Sequence, residues 1–212
     1  MKNIMNEFDI KAVEWDNNPM HWVRSEAIAK EIIKLIPKKN RMTALEYGAG
    51  TAILSFLLKD YFREITLMDN SSEMIKIMTE KIEITKVKNL KALNFDLEHS
   101  DYKGGKFDLI FTQMVLHHVI DIGKIIKKFY NLLNPGGYLA IADLYPEDGS
   151  FHGADFIGHK GFDIETLSNQ IKEQGFTNIS HRQCFVINKK TSETETKQFG
   201  VFLLIANHDL RG

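Results

Sequence analysis

A doubly wound α/β fold, with a mostly parallel sheet covered by helices on both faces, is predicted by three observations. Short apolar runs alternate with stretches of helical period along most of the chain. One run ends in TALEYGAGT, residues 43–51, which places an acid and two glycines where a strand must turn sharply into a helix. A second run, ITLM, ends in Asp69, a carboxylate at the tip of the neighbouring strand.

Each element has its own local reason. Strands are predicted near 42–47, 64–69, 90–95, 107–112 and 138–144, each short, apolar and closed by a break. Helices are predicted between them, near 52–61, 72–84 and 122–133. Upstream, the segment beyond Pro19 is amphipathic, with Ile28, Ile32 and Leu35 on one helical face. After a helix near 164–174 the rhythm changes. Runs at 179–187 and 199–206 read as two long strands joined through NKKTSETETK, a hairpin.

Composition bounds the function. At 212 residues, 43% apolar and 26% charged, the chain has the size and make-up of one ordinary globular domain. A net charge of −1 offers no general attraction to a polyanion, so nucleic acid is not expected as a partner. No apolar run reaches the roughly 18–20 residues of a membrane span, and Glu7, Asp9, Glu14 and Asp16 make the start unlike a signal peptide. A single cysteine, Cys184, cannot form an internal disulfide. The expectation is a soluble, cytoplasmic protein, monomer or homodimer, with no membrane association.

The glycine turn excludes two nucleotide-binding motifs. A dinucleotide fingerprint needs a third small residue where this chain has Ile53, and the phosphate loop of nucleotide hydrolases needs a Gly-Lys-Ser/Thr that is missing. What remains is acid-x-Gly-x-Gly, Glu46 to Gly50. It resembles motif I of the class I S-adenosylmethionine-dependent methyltransferases, with Ala52 where the fuller pattern has a third glycine. The cofactor carries a sulfonium and an amino group but no phosphate, so an acid beside the turn suits it where a pyrophosphate would be repelled.

Further segments resemble the same family in the same order. Asn70, Ser71 and Met74 follow Asp69; Asp96 and Leu97 follow the third strand; FDLIFTQMVLHHV resembles the fourth strand and its exit; LLNPGGYLAIADL resembles the helix end, turn and fifth strand. The resemblance implies a Rossmann-like sheet of seven strands with one antiparallel, in the C-terminal hairpin, and S-adenosyl-L-methionine as cofactor. It assigns cofactor binding to Glu46, Gly48, Ala49, Gly50, Thr51, Asp69, Asn70, Met74, Asp96, Leu97 and Gln113, with Asp69 on the ribose hydroxyls and Met74 against adenine. The whole of 1–212 then reads as one methyltransferase domain. It would comprise a helical lid (1–38), a cofactor core (40–145), a substrate lid (145–162) and a C-terminal helix and hairpin (163–212).

Methyl transfer asks for alignment, exclusion of water and, for a hydroxyl or ammonium nucleophile, removal of a proton. His117 and His118 follow the fourth strand and are the candidate catalytic bases. His152, His159 and Trp22 are candidates for substrate binding, and Arg24 for the cofactor carboxylate. No metal is expected, since neither histidine pair has the spacing of familiar zinc motifs and a catechol-type magnesium site would need more than Asp143. The exit TQMV lacks the Asn/Asp-Pro-Pro-Tyr loop of nucleobase amino methylation, which favours a small-molecule acceptor. Two other functions share parts of this pattern: a non-catalytic S-adenosylmethionine-binding protein, and an NAD(P)-dependent oxidoreductase.

Overall fold

The apolar run before the glycine turn forms strand β1, Thr43–Tyr47, whose Ala44 and Leu45 are fully buried. The computed structural model describes residues 10, 12–38, 41–153 and 155–209. The opening nine residues, with Glu7 and Asp9 and the first part of the expected N-terminal lid, lie outside the described residues. The chain forms two compact units, Met1–Asp96 and Leu97–Gly212.

In the first unit β1 pairs in parallel with β2, Glu64–Asp69, and β2 with β3, Leu90–Asn94. Buried Ile65, Leu67 and Met68 make β2 apolar on both sides, the pattern of a parallel strand covered on both faces. Helix α1, Pro19–Leu35, starts where Asn18 accepts the Met20 amide at 3.1 Å and Pro19 occupies the first turn, which needs no donor. It buries Ile28 and Ile32 as its period predicts. Helix α2, Ile53–Leu58, passes into a 3₁₀ turn at Lys59–Tyr61. The helix begins one residue later than the pattern suggests because Ala52 is left-handed, with φ 64°. Helix α3, Ser72–Thr85, is capped by the Ser71 hydroxyl on the Met74 amide at 3.2 Å and stops at left-handed Lys86.

In the second unit β4, Phe107–Gln113, pairs in parallel with β5, Leu133–Leu144, while β7, Thr196–His208, runs antiparallel to both β5 and β6, Phe176–Lys190. Strand β5 begins before Pro135, earlier than the sequence suggests. The register jumps from Phe107↔Leu133 to Leu109↔Tyr138, so a bulge absorbs the Pro-Gly-Gly stretch without ending the strand. The hairpin strands extend past their apolar parts because backbone pairing continues to Lys190↔Thr196 through polar residues. Helices α4, Ile122–Leu132, and α5, Ile164–Glu173, are capped by Asp121 and Asp163.

The strand order is β3-β2-β1-β4-β5-β7-β6, a seven-stranded sheet with β7 alone reversed. This is the predicted architecture. Among the described residues no helix is long and apolar enough to cross a membrane.

Candidate active site

In the first unit the glycine turn is built around Asp69. Its Oδ2 accepts the Gly50 amide at 2.8 Å and its Oδ1 accepts the Ser71 amide at 2.9 Å. One carboxylate at the tip of β2 thus fixes both the turn after β1 and the start of α3. Gly48 and Gly50 are left-handed, at φ 69° and 55°, which a side chain would strain. A Cβ on Gly50 would meet only the Met74 sulfur, at 4.0 Å, so that surface is open apart from one buried apolar side chain. Ala49 and Thr51 are buried, and Asn70 is exposed beside Asp69. Asp96 is half-buried beyond the end of β3.

Glu46 is 2% exposed, and its carboxyl accepts the Ser55 hydroxyl from α2. Burial pushes its pKa up to about 8, against the opposing hydrogen bonds from Ser55; nearby Asp69 raises it further and Lys81 lowers it. The folded chain therefore holds a proton here that the unfolded chain, at the ordinary 4.5, releases. This stabilisation is complete below the unfolded value and is lost as pH rises towards about 8. Glu46→Gln, which keeps the shape and the acceptor but cannot ionise, is expected to flatten stability between these limits. The gain over wild type at the alkaline end should be on the order of a few kcal/mol, checked by denaturant unfolding at the two pH values.

The same unit shows how the N-terminal segment is fastened. Asp16, in the 3₁₀ turn Ala12–Asn17, accepts the Thr51 hydroxyl at 2.5 Å and the Lys81 ammonium at 2.7 Å, and Lys81 also donates to the Thr51 carbonyl at 2.7 Å. Trp22 donates its indole N–H to the Asp16 carbonyl at 3.0 Å, and Lys81 lies 5.7 Å from the Trp22 ring. Trp22 is thus part of this latch. Arg24 is buried on α1, 5% exposed.

In the second unit β4 ends at half-buried Gln113, and the 3₁₀ turn Leu116–His118 follows. His117 is buried, and its Nδ1 lies 2.6 Å from Asp143 Oδ1, at the buried end of β5. Asp143 also accepts the His117 amide at 3.2 Å and the Leu144 amide at 2.7 Å. A carboxylate so placed takes the proton on Nδ1 and leaves Nε2 as the basic nitrogen. His118 is half-buried, with its ring 4.3 Å from that of His117. Leu97 is buried, and its carbonyl accepts from Lys128 at 2.8 Å.

The segment after β5 folds back onto this turn. Its neck is tied by the Phe162 amide on the Leu144 carbonyl, at 2.8 Å, and by the Glu147 amide on the Lys160 carbonyl, at 2.9 Å. His152 sits 4.8 Å ring to ring from His117 and 5.2 Å from His118, and stacks on Phe156 at 4.0 Å. His159 serves as a tether: its amide donates to the His117 carbonyl at 2.8 Å and its Nε2 meets the Val119 carbonyl at 2.9 Å. Gly158 permits this approach, since a Cβ there would run into the His117 carbonyl and the Phe156 ring. Gly158→Ala is expected to destabilise the fold by about 1–3 kcal/mol, the usual cost of overpacking, read in a thermal melt.

Sequence reading did not find the pairing of Asp143 with His117, nor the roles of Ser55, Asp16, Lys81 and Phe156. A signal existed for two of these: an acid inside the apolar run LAIADL and a serine on the apolar face of ILSFLL both demand a partner once buried.

Comparison with known proteins agrees with this fold. The chain is 29% identical over 157 residues to an uncharacterized methyltransferase of Schizosaccharomyces pombe, covering 66% of this chain and 55% of that protein. It is 29% identical over 198 residues to a polyketide synthase-nonribosomal peptide synthetase of Aspergillus clavatus, covering 84% of this chain and 5% of that one. It therefore spans about half of the first relative and a small part of the second. Among solved structures, Haemonchus contortus phosphoethanolamine N-methyltransferase 2 in complex with S-adenosyl-L-methionine superposes with a TM-score of 0.69 at 16% identity, covering 89% of this chain and 53% of that one. The methyltransferase domain family matches residues 20–181. With that match across most of its length and the reversed seventh strand in its sheet, the chain belongs to the class I S-adenosylmethionine-dependent methyltransferases.

Proposed function

We propose that this chain binds S-adenosyl-L-methionine at the turn after β1 and transfers its methyl group to a small-molecule acceptor. The observation that carries this reading is the clamp of Asp69 on the Gly50 amide, at a glycine where an added Cβ would meet only the Met74 sulfur, at 4.0 Å. A carboxylate offers about four acceptor positions, so one group can hold the turn and also take ribose hydroxyls. Met74 supplies an apolar floor for a purine, and Ala49, Thr51, Asn70 and Asp96 complete the proposed binding set of the first unit. Glu46 is protonated at neutral pH before the cofactor arrives. A cation brought near it favours the ionised form, so cofactor affinity is expected to rise as pH climbs towards about 8. Proton release measured by calorimetry in buffers of different ionisation enthalpy checks this; binding without proton release contradicts it.

The bound cofactor supplies an electrophilic methyl group on a good leaving group. The protein's own share is then orientation and proton removal. Asp143 holds His117 with Nδ1 protonated, which makes Nε2 a base able to accept a proton from an acceptor hydroxyl or ammonium. His118 is the second candidate base, and His152, with its neighbour Phe156, offers an imidazole and an aromatic face to the acceptor. The net charge of −1 and the TQMV exit both disfavour nucleic acid as the acceptor. Native mass spectrometry of the purified chain, seeking co-purified S-adenosylmethionine or its demethylated product, followed by an acceptor screen reading that product, tests the proposal. Retention of neither compound and no turnover on any acceptor would overturn it.

A further inference from the structure

We propose that His117, His118 and His152 form a binding site for one divalent transition-metal ion of the zinc type. One ring nitrogen from each of the three can be chosen so that all lie within 4.8 Å of one another. Sequence spacing conceals this trio because His152 arrives from the segment after β5, and only the fold brings it to the adjacent pair. Bonds of about 2.1 Å at tetrahedral angles place ligand nitrogens about 3.4 Å apart. The set is therefore gathered but not closed, and rotation of the half-buried His118 and His152 rings would complete it.

Two surrounding features are those a metal site requires. Asp143, fully buried, engages Nδ1 of His117 at 2.6 Å, which leaves Nε2 as the nitrogen that His117 can offer. A carboxylate behind a ligating imidazole fixes its tautomer and raises its basicity. On the other side Phe156 stacks on His152 at 4.0 Å, and Phe151 packs edge-on against it at 4.7 Å, an apolar wall that limits water. Three neutral imidazoles select zinc, cobalt, nickel or copper over magnesium and calcium, which prefer oxygen ligands. Three protein ligands also leave a tetrahedral ion one open position, where a heteroatom of a small molecule can bind.

The inference uses side chains to which the preceding reading gives catalytic and acceptor-binding roles, and it is independent of methyl transfer. A metal on Nε2 of His117 displaces the proton that this nitrogen would otherwise take, so base and ligand are alternative states of one ring. The test is a titration of chelator-treated protein with Co²⁺, followed by displacement with Zn²⁺, without cofactor or acceptor present. The expected result is the intense visible absorption of tetrahedral cobalt, saturating at one equivalent, lost on Zn²⁺ addition and unaffected by excess Mg²⁺. His152→Gln and, separately, His118→Gln are expected to weaken binding at least about 100-fold, and Asp143→Asn about 10- to 100-fold. Absence of the band, or one-equivalent binding that both histidine variants retain, overturns the site. Methyl transfer is assayed in parallel on the metal-free protein, so a failed metal site and a failed transferase give different patterns.

Discussion

His117→Gln is expected to lower turnover by about 10²- to 10⁴-fold while leaving cofactor affinity nearly unchanged, the range that a positioned general base contributes. The expectation follows from the buried pair, in which Asp143 Oδ1 lies 2.6 Å from Nδ1 and directs the lone pair to Nε2. Glutamine keeps a polar group of similar reach but cannot take a proton. Asp143→Asn provides the companion measurement, because an amide can donate as well as accept and so permits the opposite tautomer. Its turnover should fall while cofactor affinity stays close to wild type, a split that general loss of the fold would not give. His118→Ala should also reduce turnover with cofactor binding intact. Steady-state kinetics beside calorimetric cofactor titration separates the two effects. Lost binding with unchanged turnover at saturation would contradict a base at this turn.

Asp69→Ala is expected to weaken S-adenosylmethionine binding by about 1–3 kcal/mol, the cost of losing a pair of charge-assisted hydrogen bonds. The structure gives this loss a second source. The same carboxylate accepts the Gly50 and Ser71 amides, so its removal also frees the turn that the ligand needs in place. Asp69→Asn keeps one carbonyl oxygen for one amide but sets an NH₂ group against the other, and should fall between alanine and wild type. Unchanged affinity in the alanine variant would contradict the assigned role.

The outcome of reading the chain in sequence depended on how local each signal was. β1 and β2 were legible because a short, mostly apolar run ended at a distinct signal, the glycine turn after Tyr47 or Asp69 at the strand tip. The ends of β5, β6 and β7 were not legible, since backbone pairing there continues through Pro135 and through polar residues such as Lys189 and Thr196. Ala52 in a left-handed conformation has no sequence signature; only the turn geometry imposes it. In the candidate site, residues adjacent to a strand end were nameable in advance. Their partners were not, because the pairing of His117 with Asp143 and the arrival of His152 depend on the packing of distant segments. The contact of Trp22 with Lys81 was likewise not legible, since it joins segments far apart in the chain.

The central claim is that the turn at Gly48–Gly50 and the carboxylate of Asp69 receive an adenosine bearing a positively charged sulfur. Calorimetric titration of the wild-type chain with S-adenosylmethionine, and in parallel with NADH, tests it most directly. One-to-one saturable binding of the sulfonium compound with no heat from the dinucleotide is the expected result. Saturable binding of NADH with none of S-adenosylmethionine would contradict it.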